Sequence, residues 1–188
     1  VAGGQGWATA VASGRGVALT GLAPSTDSQE QAVRIAQAVS GVAVVENRSE
    51  LLPIASPYVW SARRSGPTVT VGGNVPSEGV RAAVLAAARR ALPEAAIQDE
   101  MILARGAPAS FVAATAFSLE NLANLIEGTI TLTDGTLAVS GTAIDPHAYA
   151  GARAAFMSAL PANVALGPLD VLPARADPAH LAPGQHQA

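Results

Sequence analysis

Three glycine-centred phrases recur along the chain and constrain its fold more than any other feature of the sequence. When Gly21, Gly73 and Gly141 are aligned, each follows a short run of alternating or apolar residues, which predicts a β-strand. A turn signal precedes each run, and the clearest is Asp134-Gly135, because this dipeptide suits the positive φ angles of a tight hairpin. Each repeat is therefore expected to open with a β-hairpin. The first strands of these hairpins are predicted at residues 7–12, 58–63 and 129–133.

A helix is predicted after each glycine. Thr26, with Gln29 three residues later, fits a capping box. Ser77 supplies a cap for the second helix, and Asp145 stands before Pro146, a residue favoured at the first helical position. Apolar residues then recur at the spacing of a helix that is buried on one side. They are Ala32, Ile35, Ala36 and Val39 in the first helix, Val80, Val84, Ala87 and Ala91 in the second, and Tyr149, Ala152, Phe156 and Ala159 in the third.

Gly or Pro ends each helix, and a further apolar run predicts a third strand. The repeat is therefore β-β-α-β, and the predicted fold class is α+β: three such units form a mixed sheet with helices packed on one face. The units are expected at residues 1–53, 57–105 and 110–172, and residues 173–188 are typical of a flexible linker or tail. We expect the second and third units to form one compact domain and the first to be semi-independent.

The third unit carries additional sequence before its hairpin. Residues 118–127 predict a short helix, with Leu125 and Ile126 on its apolar side and Gly128 after its end. Residues 111–117 either extend this helix or form a loop.

The recurring glycine has two interpretations. In the structural one, it lets the second strand turn sharply into the helix without the steric cost of a Cβ atom. In the functional one, the helix N-terminus at the same corner binds a phosphate group. The structural interpretation is favoured, because the chain lacks both GxGxxG and GxxxxGK[ST] and contains no lysine.

Composition excludes several classes of function. The net charge of −3, with 13% charged residues, is too mild for a nucleic-acid partner. The absence of cysteine excludes disulfides, cysteine zinc sites and cysteine nucleophiles. His147, His180 and His186 lack the spacing of a helical metal site, and no serine stands in a GxSxG motif. We expect no enzyme activity, no metal and no cofactor.

The candidate binding residues are basic and aromatic. Arg63 and Arg64 follow Trp60 on one predicted strand, and arginine with an aromatic side chain suits an anionic lipid surface. Arg89 and Arg90 end the second helix, where cations also favour the helix dipole, so these two have a structural explanation as well. Trp60 has one too, since its side chain can pack between the sheet and the helices.

The repeats resemble a known family. The first unit resembles a BON domain in the stretches VALTG and AVRIAQAVSGVAVVENR. The second and third units together resemble the tandem BON-like region of OmpA-family bacterial envelope proteins, in SGPTVTVGGNVPSEGVRAAV and TLTDGTLAVSGTA. The resemblance covers roughly residues 5–172.

This resemblance implies three BON-like units that act as a non-enzymatic binding or scaffolding module of the bacterial periplasm and cell envelope. Its implied partners are membrane phospholipid and other envelope proteins. Peptidoglycan would be bound only through a separate C-terminal domain, so the chain is expected to be the central piece of a longer protein. The alternative is an assembly module that binds copies of itself or other proteins and acts as a spacer between a membrane anchor and that domain.

Overall fold

Four helices and two β-sheets form residues 5–174, which are the residues that the computed structural model describes. The expected α+β class is confirmed, but the strands form two sheets. The first part comprises β1 (Ala8–Ser13), β2 (Gly16–Ala23), α1 (Thr26–Gln37), β3 (Val44–Asn47) and β4 (Glu50–Leu51). The second comprises β5 (Val59–Ser65), β6 (Thr68–Val75), α2 (Glu78–Ala91), β7 (Ala96–Leu103), α3 (Phe111–Leu122), β8 (Leu125–Thr133), β9 (Thr136–Ala143), α4 (Pro146–Ser158) and β10 (Ala165–Leu172).

The three segments that begin with a β-hairpin share one local topology. Each hairpin is antiparallel, and the strand after the helix returns parallel to the hairpin's second strand. In the first sheet the order is β1-β2-β3, with β4 also paired to β2. In the second sheet the order is β10-β9-β8-β5-β6-β7, so two hairpins meet through their first strands.

An approximate twofold axis passes through the centre of the six-stranded sheet. There β5 and β8 pair antiparallel, with Ala62 opposite Ile130. Ala62 also pairs with Val71, and Ile130 with Val139, and each of these valines lies two residues before the recurring glycine of its hairpin. Ala62 and Ile130 therefore hold equivalent positions, and each half of the sheet repeats the other about this pair.

The helices of the second part cover one face of the six-stranded sheet, as expected. Directly paired strand residues point to the same side, and the buried ones pack with α2, α3 and α4 in one core. Prominent members of this core are Trp60, Val71, Ile130, Leu132, Val139, Val84, Ala88, Phe111, Leu119, Leu122 and Phe156. The opposite face, here called the open face, is polar. One register row across all six strands consists of Asp170, Ser140, Thr129, Arg63, Thr70 and Gln98.

Two of the three predicted helix caps are confirmed. Ser77 and Asp145 each accept a hydrogen bond from the backbone N–H three residues on. The first helix differs, because its cap is Ser25 and not Thr26. Gln29 does not close a capping box, since its side-chain amide donates to the loop after β3 instead.

The recurring glycines lie inside β2, β6 and β9 and not at the turn into the helix, so the corner interpretation is wrong in detail. A Cβ atom on Gly73, whose φ is +87°, would lie 2.5 Å from the carbonyl oxygen of Val59 in the neighbouring strand. Glycine is thus required by close contact within the hairpin together with a positive φ angle. The same conditions hold at Gly21 against Trp7 and at Gly141 against Glu127.

The additional helix of the third repeat was predicted too late in the chain. Residues 111–117 are helical, whereas Leu125 and Ile126 begin β8. Gly128 therefore lies in a strand, paired with Gly141, and does not end a helix. The pairing of β8 with β5 stabilises this strand, and that contact is not visible in local sequence.

The two sheets have cores of very different size. In the first, only Leu19, Ala32 and Ala36 form the buried cluster. The second has a core that includes two aromatic rings with no exposed surface, Trp60 and Phe156. The first sheet is therefore expected to contribute much less hydrophobic stabilisation.

A short backbone contact joins the two parts. The N–H of Arg105 donates to Pro53 O at 2.8 Å, and Ala55 N–H donates to Arg105 O at 2.9 Å. The Arg105 Nε atom also donates to Leu52 O at 2.7 Å. The linker after β4 is thus held against the segment after β7.

Candidate functional site

The end of the six-stranded sheet at the β5–β6 turn contains a groove, here called the hairpin-end groove. It has a volume of about 450 Å³. Its lining comes from the β5–β6 turn, the segment after α2, the start of β8 and the segment after β9. Prominent lining residues are Arg64, Pro67, Leu92, Glu94, Ile126 and Ile144. A second groove of about 380 Å³ continues from it and shares Gly66, Ile126 and Ile144.

Two isoleucines make this end of the molecule apolar. Ile126 is 52% exposed and Ile144 is 44% exposed. They stand on adjoining segments, because Ile126 lies in β8 and Ile144 directly follows β9, its partner strand. Exposed apolar residues grouped at a groove are typical of an interaction surface, whereas single ones are common on any protein.

Arg64 is the sequence candidate that lines the groove. Its Nη1 atom donates to Ala123 O at 3.1 Å and to Leu125 O at 2.8 Å, and its Nε donates to Gly66 O at 3.3 Å. These bonds satisfy carbonyls at the C-terminus of α3, where a cation is also favoured by the helix dipole. Arg64 makes no ion pair within residues 5–174, so its charge is not neutralised by a neighbouring carboxylate.

Arg89 and Arg90 precede a residue of the groove but do not line it themselves. Both are exposed in the last turn of α2, directly before Ala91, which does line it. Glu94 lines the same groove and Glu127 lines its continuation, so carboxylates are interspersed with the cations. The arrangement is a mainly apolar groove that Arg64 lines, with two exposed arginines in the adjoining last turn of α2.

Arg63 and Trp60 do not belong to this groove. Arg63 is exposed on the open face, where it pairs with Thr70 and Thr129. Trp60 has no exposed surface and packs edge-on against Phe111, with ring centroids 6.4 Å apart. In this structure the Trp60 side chain is a core residue and does not reach the surface.

Tyr58 and Trp60 belong to a buried aromatic cluster with Phe111. The Tyr58 hydroxyl donates to Ala104 O at 3.1 Å, and burial raises the pKa of Tyr58 to about 12. Among residues 5–174 the buried Trp60 Nε1–H has no hydrogen-bond partner. Both side chains pack edge-on against Phe111 of α3.

Acidic and histidine residues are dispersed over the described part of the chain. Within residues 5–174, no group of three or more histidine, aspartate or glutamate side chains is placed to hold a metal ion. His147 is exposed in the first turn of α4, and His180 and His186 lie outside the described residues. Among residues 5–174 there is also no helix long and apolar enough to cross a membrane.

Sequence reasoning identified Arg64, Arg89 and Arg90 but missed the isoleucines beside them. Ile126 was assigned to the apolar side of a helix, and Ile144 was not considered. The available signal was the position of Ile144, directly before the cap residue Asp145 and so at the surface where a strand ends.

Two segments of the chain match known family models. Residues 8–53 match the family model of the BON domain, and residues 61–104 match that of the BON-like domain. No curated protein matches the chain. The two matches support BON-family repeats over β1 to β4 and over β5 to β7.

Proposed function

Because residues 8–53 and 61–104 are BON-family repeats, we propose that this chain is a non-enzymatic binding and scaffolding module of the bacterial periplasm. BON domains occur in envelope-associated proteins, which supports this location. The module contacts anionic phospholipid through the hairpin-end groove and forms part of an OmpA-family envelope protein.

One observation carries the lipid contact: Ile126 and Ile144 are exposed in a groove that the basic side chain of Arg64 also lines. The exposed Arg89 and Arg90 directly precede Ala91, another residue of the lining. Burial of an exposed isoleucine is worth about 1 kcal/mol or somewhat more. A basic side chain near an anionic membrane surface adds about 1 kcal/mol. The total of a few kcal/mol corresponds to weak, reversible contact, which suits a module held near the membrane by another part of its protein.

Flotation with lipid vesicles tests the proposal. We expect the purified chain to float with vesicles in proportion to their anionic lipid content, and to float less at moderate salt than at low salt, because salt screens the arginine charges. If the chain floats under none of these conditions, the lipid contact is wrong. That result would favour the role of a protein-docking spacer.

Two double variants separate the apolar and the basic contributions. Ile126→Thr with Ile144→Thr should weaken flotation at every salt concentration. Arg89→Gln with Arg90→Gln should reduce its salt dependence and leave the part that is due to Arg64. Ile102→Thr is the apolar control, because Ile102 is 63% exposed in strand β7. The charge-matched control is the replacement of two exposed arginines on other helices, Arg34→Gln with Arg153→Gln.

A further inference from the structure

Strand β1 is an unprotected edge of the first sheet. Within residues 5–174 it pairs with β2 on one side only, and its residues from Thr9 to Ser13 are exposed. Its sequence, ATAVAS, contains no charged residue and no proline. A strand of this kind presents free N–H and C=O groups, which can pair with another strand.

The other edges of the two sheets each carry a feature that discourages pairing. Strand β7 contains Asp99 and Glu100. Strand β10 contains Pro168 and a register shift between Leu166 and Leu169. On the far side of the first sheet, β3 and β4 are four and two residues long and each contains a glutamate. Charges, proline, irregularity and short length are the usual means of protecting an edge, and β1 has none of them.

The six-stranded sheet shows which partner fits such an edge. Strands β5 and β8 hold the same place in their hairpins as β1 does in its own, and they pair with each other about the Ala62–Ile130 position. Ala10 is the equivalent residue of β1, because it faces Leu19, two residues before Gly21. The first sheet therefore has the strand arrangement of one half of the six-stranded sheet, without the partner hairpin that completes the six-stranded sheet.

We propose that two copies of this chain associate through antiparallel pairing of their β1 strands, with Ala10 opposite Ala10 of the second copy. Thr9 of each copy then faces Val11 of the other, and Ala8 faces Ala12. The strand order β3-β2-β1 followed by the second copy's β1-β2-β3 repeats the order β10-β9-β8-β5-β6-β7. This pairing does not depend on the proposed lipid contact, because β1 lies in the first sheet and the hairpin-end groove lies at the end of the second.

The side chains of β1 indicate how strong this association is. Ala10 and Ala12 point to the helix side but are exposed, since α1 packs on β2 and β3. In the six-stranded sheet, α3 covers the equivalent position with large side chains. The small alanines admit a second strand but bury little apolar area, so we expect weak, concentration-dependent dimers and not an obligate one.

A single introduced thiol tests the register, because the chain contains no cysteine. Directly opposed residues of antiparallel strands have Cβ atoms about 5 Å apart. In the full chain, Ala10→Cys should therefore form covalent dimers under mild oxidation at least about tenfold faster than Val44→Cys. Val44 is the matched control, because it is 65% exposed on the opposite edge of the same sheet. Equal rates would overturn the proposal.

Charge pairs provide a second test that leaves the fold of the single chain intact, since Thr9 and Val11 are both exposed. Thr9→Lys with Val11→Lys places like charges opposite each other at two positions, and Thr9→Lys with Val11→Glu places opposite charges there. Sedimentation over a range of concentrations should show monomers for the first pair and retained dimers for the second. Monomeric wild type at every concentration, or equal behaviour of the two variants, would show that β1 is not the interface.

Discussion

At the residue scale, the recurring glycine is explained by the strand beside it. Gly73 has a positive φ, and the Val59 carbonyl occupies the space that a side chain would need. Two separate costs therefore fall on any substitution: the strained backbone and the clash. Gly151 is the opposite case, because it lies in α4 with no neighbouring atom within 4 Å of the position of a Cβ atom.

We expect Gly73→Ala to lower the free energy of unfolding by at least about 1–3 kcal/mol, the usual cost of a strained backbone conformation, because the clash adds to that cost. Gly151→Ala should raise it by about 0.5–1 kcal/mol, because alanine is the better residue in a helix interior. Urea unfolding of the two variants and the wild type measures both changes. An unchanged stability of Gly73→Ala would show that the hairpin accommodates a Cβ atom easily.

The sequence revealed where these glycines recur but not why. The spacing of Gly21, Gly73 and Gly141 predicted the repeats and their hairpins. The position of a carbonyl oxygen in the neighbouring strand depends on hairpin register, which a single chain's pattern does not specify. The corner interpretation failed for that reason.

At the element scale, one ion pair ties helix α2 to strand β7. Arg81 Nε donates to Asp99 Oδ2 at 2.7 Å, and the Met101 N–H donates to Asp99 Oδ1 at 3.0 Å. Burial by itself would raise the pKa of Asp99, but the hydrogen bonds from Arg81 and Met101 outweigh it and hold this pKa below its ordinary value. The stabilisation is therefore present above the unfolded-state pKa and is lost as the pH falls through the lowered pKa of the folded state.

We expect Asp99→Asn to cost about 0.5–1 kcal/mol at neutral pH, a modest value because both side chains are partly exposed. The difference in unfolding free energy between this variant and the wild type should shrink as the pH falls into the acidic range. Urea unfolding at a series of pH values measures it. Glu100→Gln is the control, since Glu100 is the residue after Asp99, is exposed, and makes no ion pair within residues 5–174. A constant difference at all pH values would contradict this assignment.

The elements themselves were predicted unevenly. Helices α2 and α4 followed from their caps and apolar spacing, because both signals are local. Helix α3 was displaced along the chain, since the apolar stretch from Phe111 to Ile126 fits a helix for most of its length. Its last residues are a strand because β8 pairs with β5, from which it is separated by about 60 residues, and local propensity does not contain such contacts.

At the scale of the whole molecule, the two sheets should differ in stability. The first has the small cluster around Leu19, and the second has the large core around Trp60. The chain contains two tryptophans, and they lie in different parts, because Trp7 packs against the small cluster. Each part therefore has its own fluorescent reporter.

We expect the transition reported by Trp7 to occur at lower urea than the one reported by Trp60. Trp60→Phe leaves Trp7 as the reporter, and Trp7→Phe leaves Trp60. Trp60→Phe removes a buried N–H that has no partner within residues 5–174, so no hydrogen bond of the described structure is lost with it. Coincident transitions would mean that the Arg105 contact joins the two sheets into one cooperative unit.

The site could be predicted only in part. Arg64, Arg89 and Arg90 stood out as charges, yet the groove needs the β5–β6 turn, the end of α2 and the β8–β9 pair to meet at one end of the sheet. That meeting depends on strand order across repeats. Because the hairpins can in principle pair within or between units, their local patterns do not choose among these arrangements.

The central pairing of β5 with β8 also has a consequence for synthesis on the ribosome. About 70 residues separate the end of β5 from the end of β8, and at about 5–20 residues per second their translation takes roughly 3–14 s. During that interval the β5 edge, with the large Trp60 side chain, is without its final partner strand. Two nascent chains close together could pair through β5 and form a domain-swapped dimer, so infrequent initiation, which keeps the translating ribosomes apart, should improve the yield of correctly folded protein.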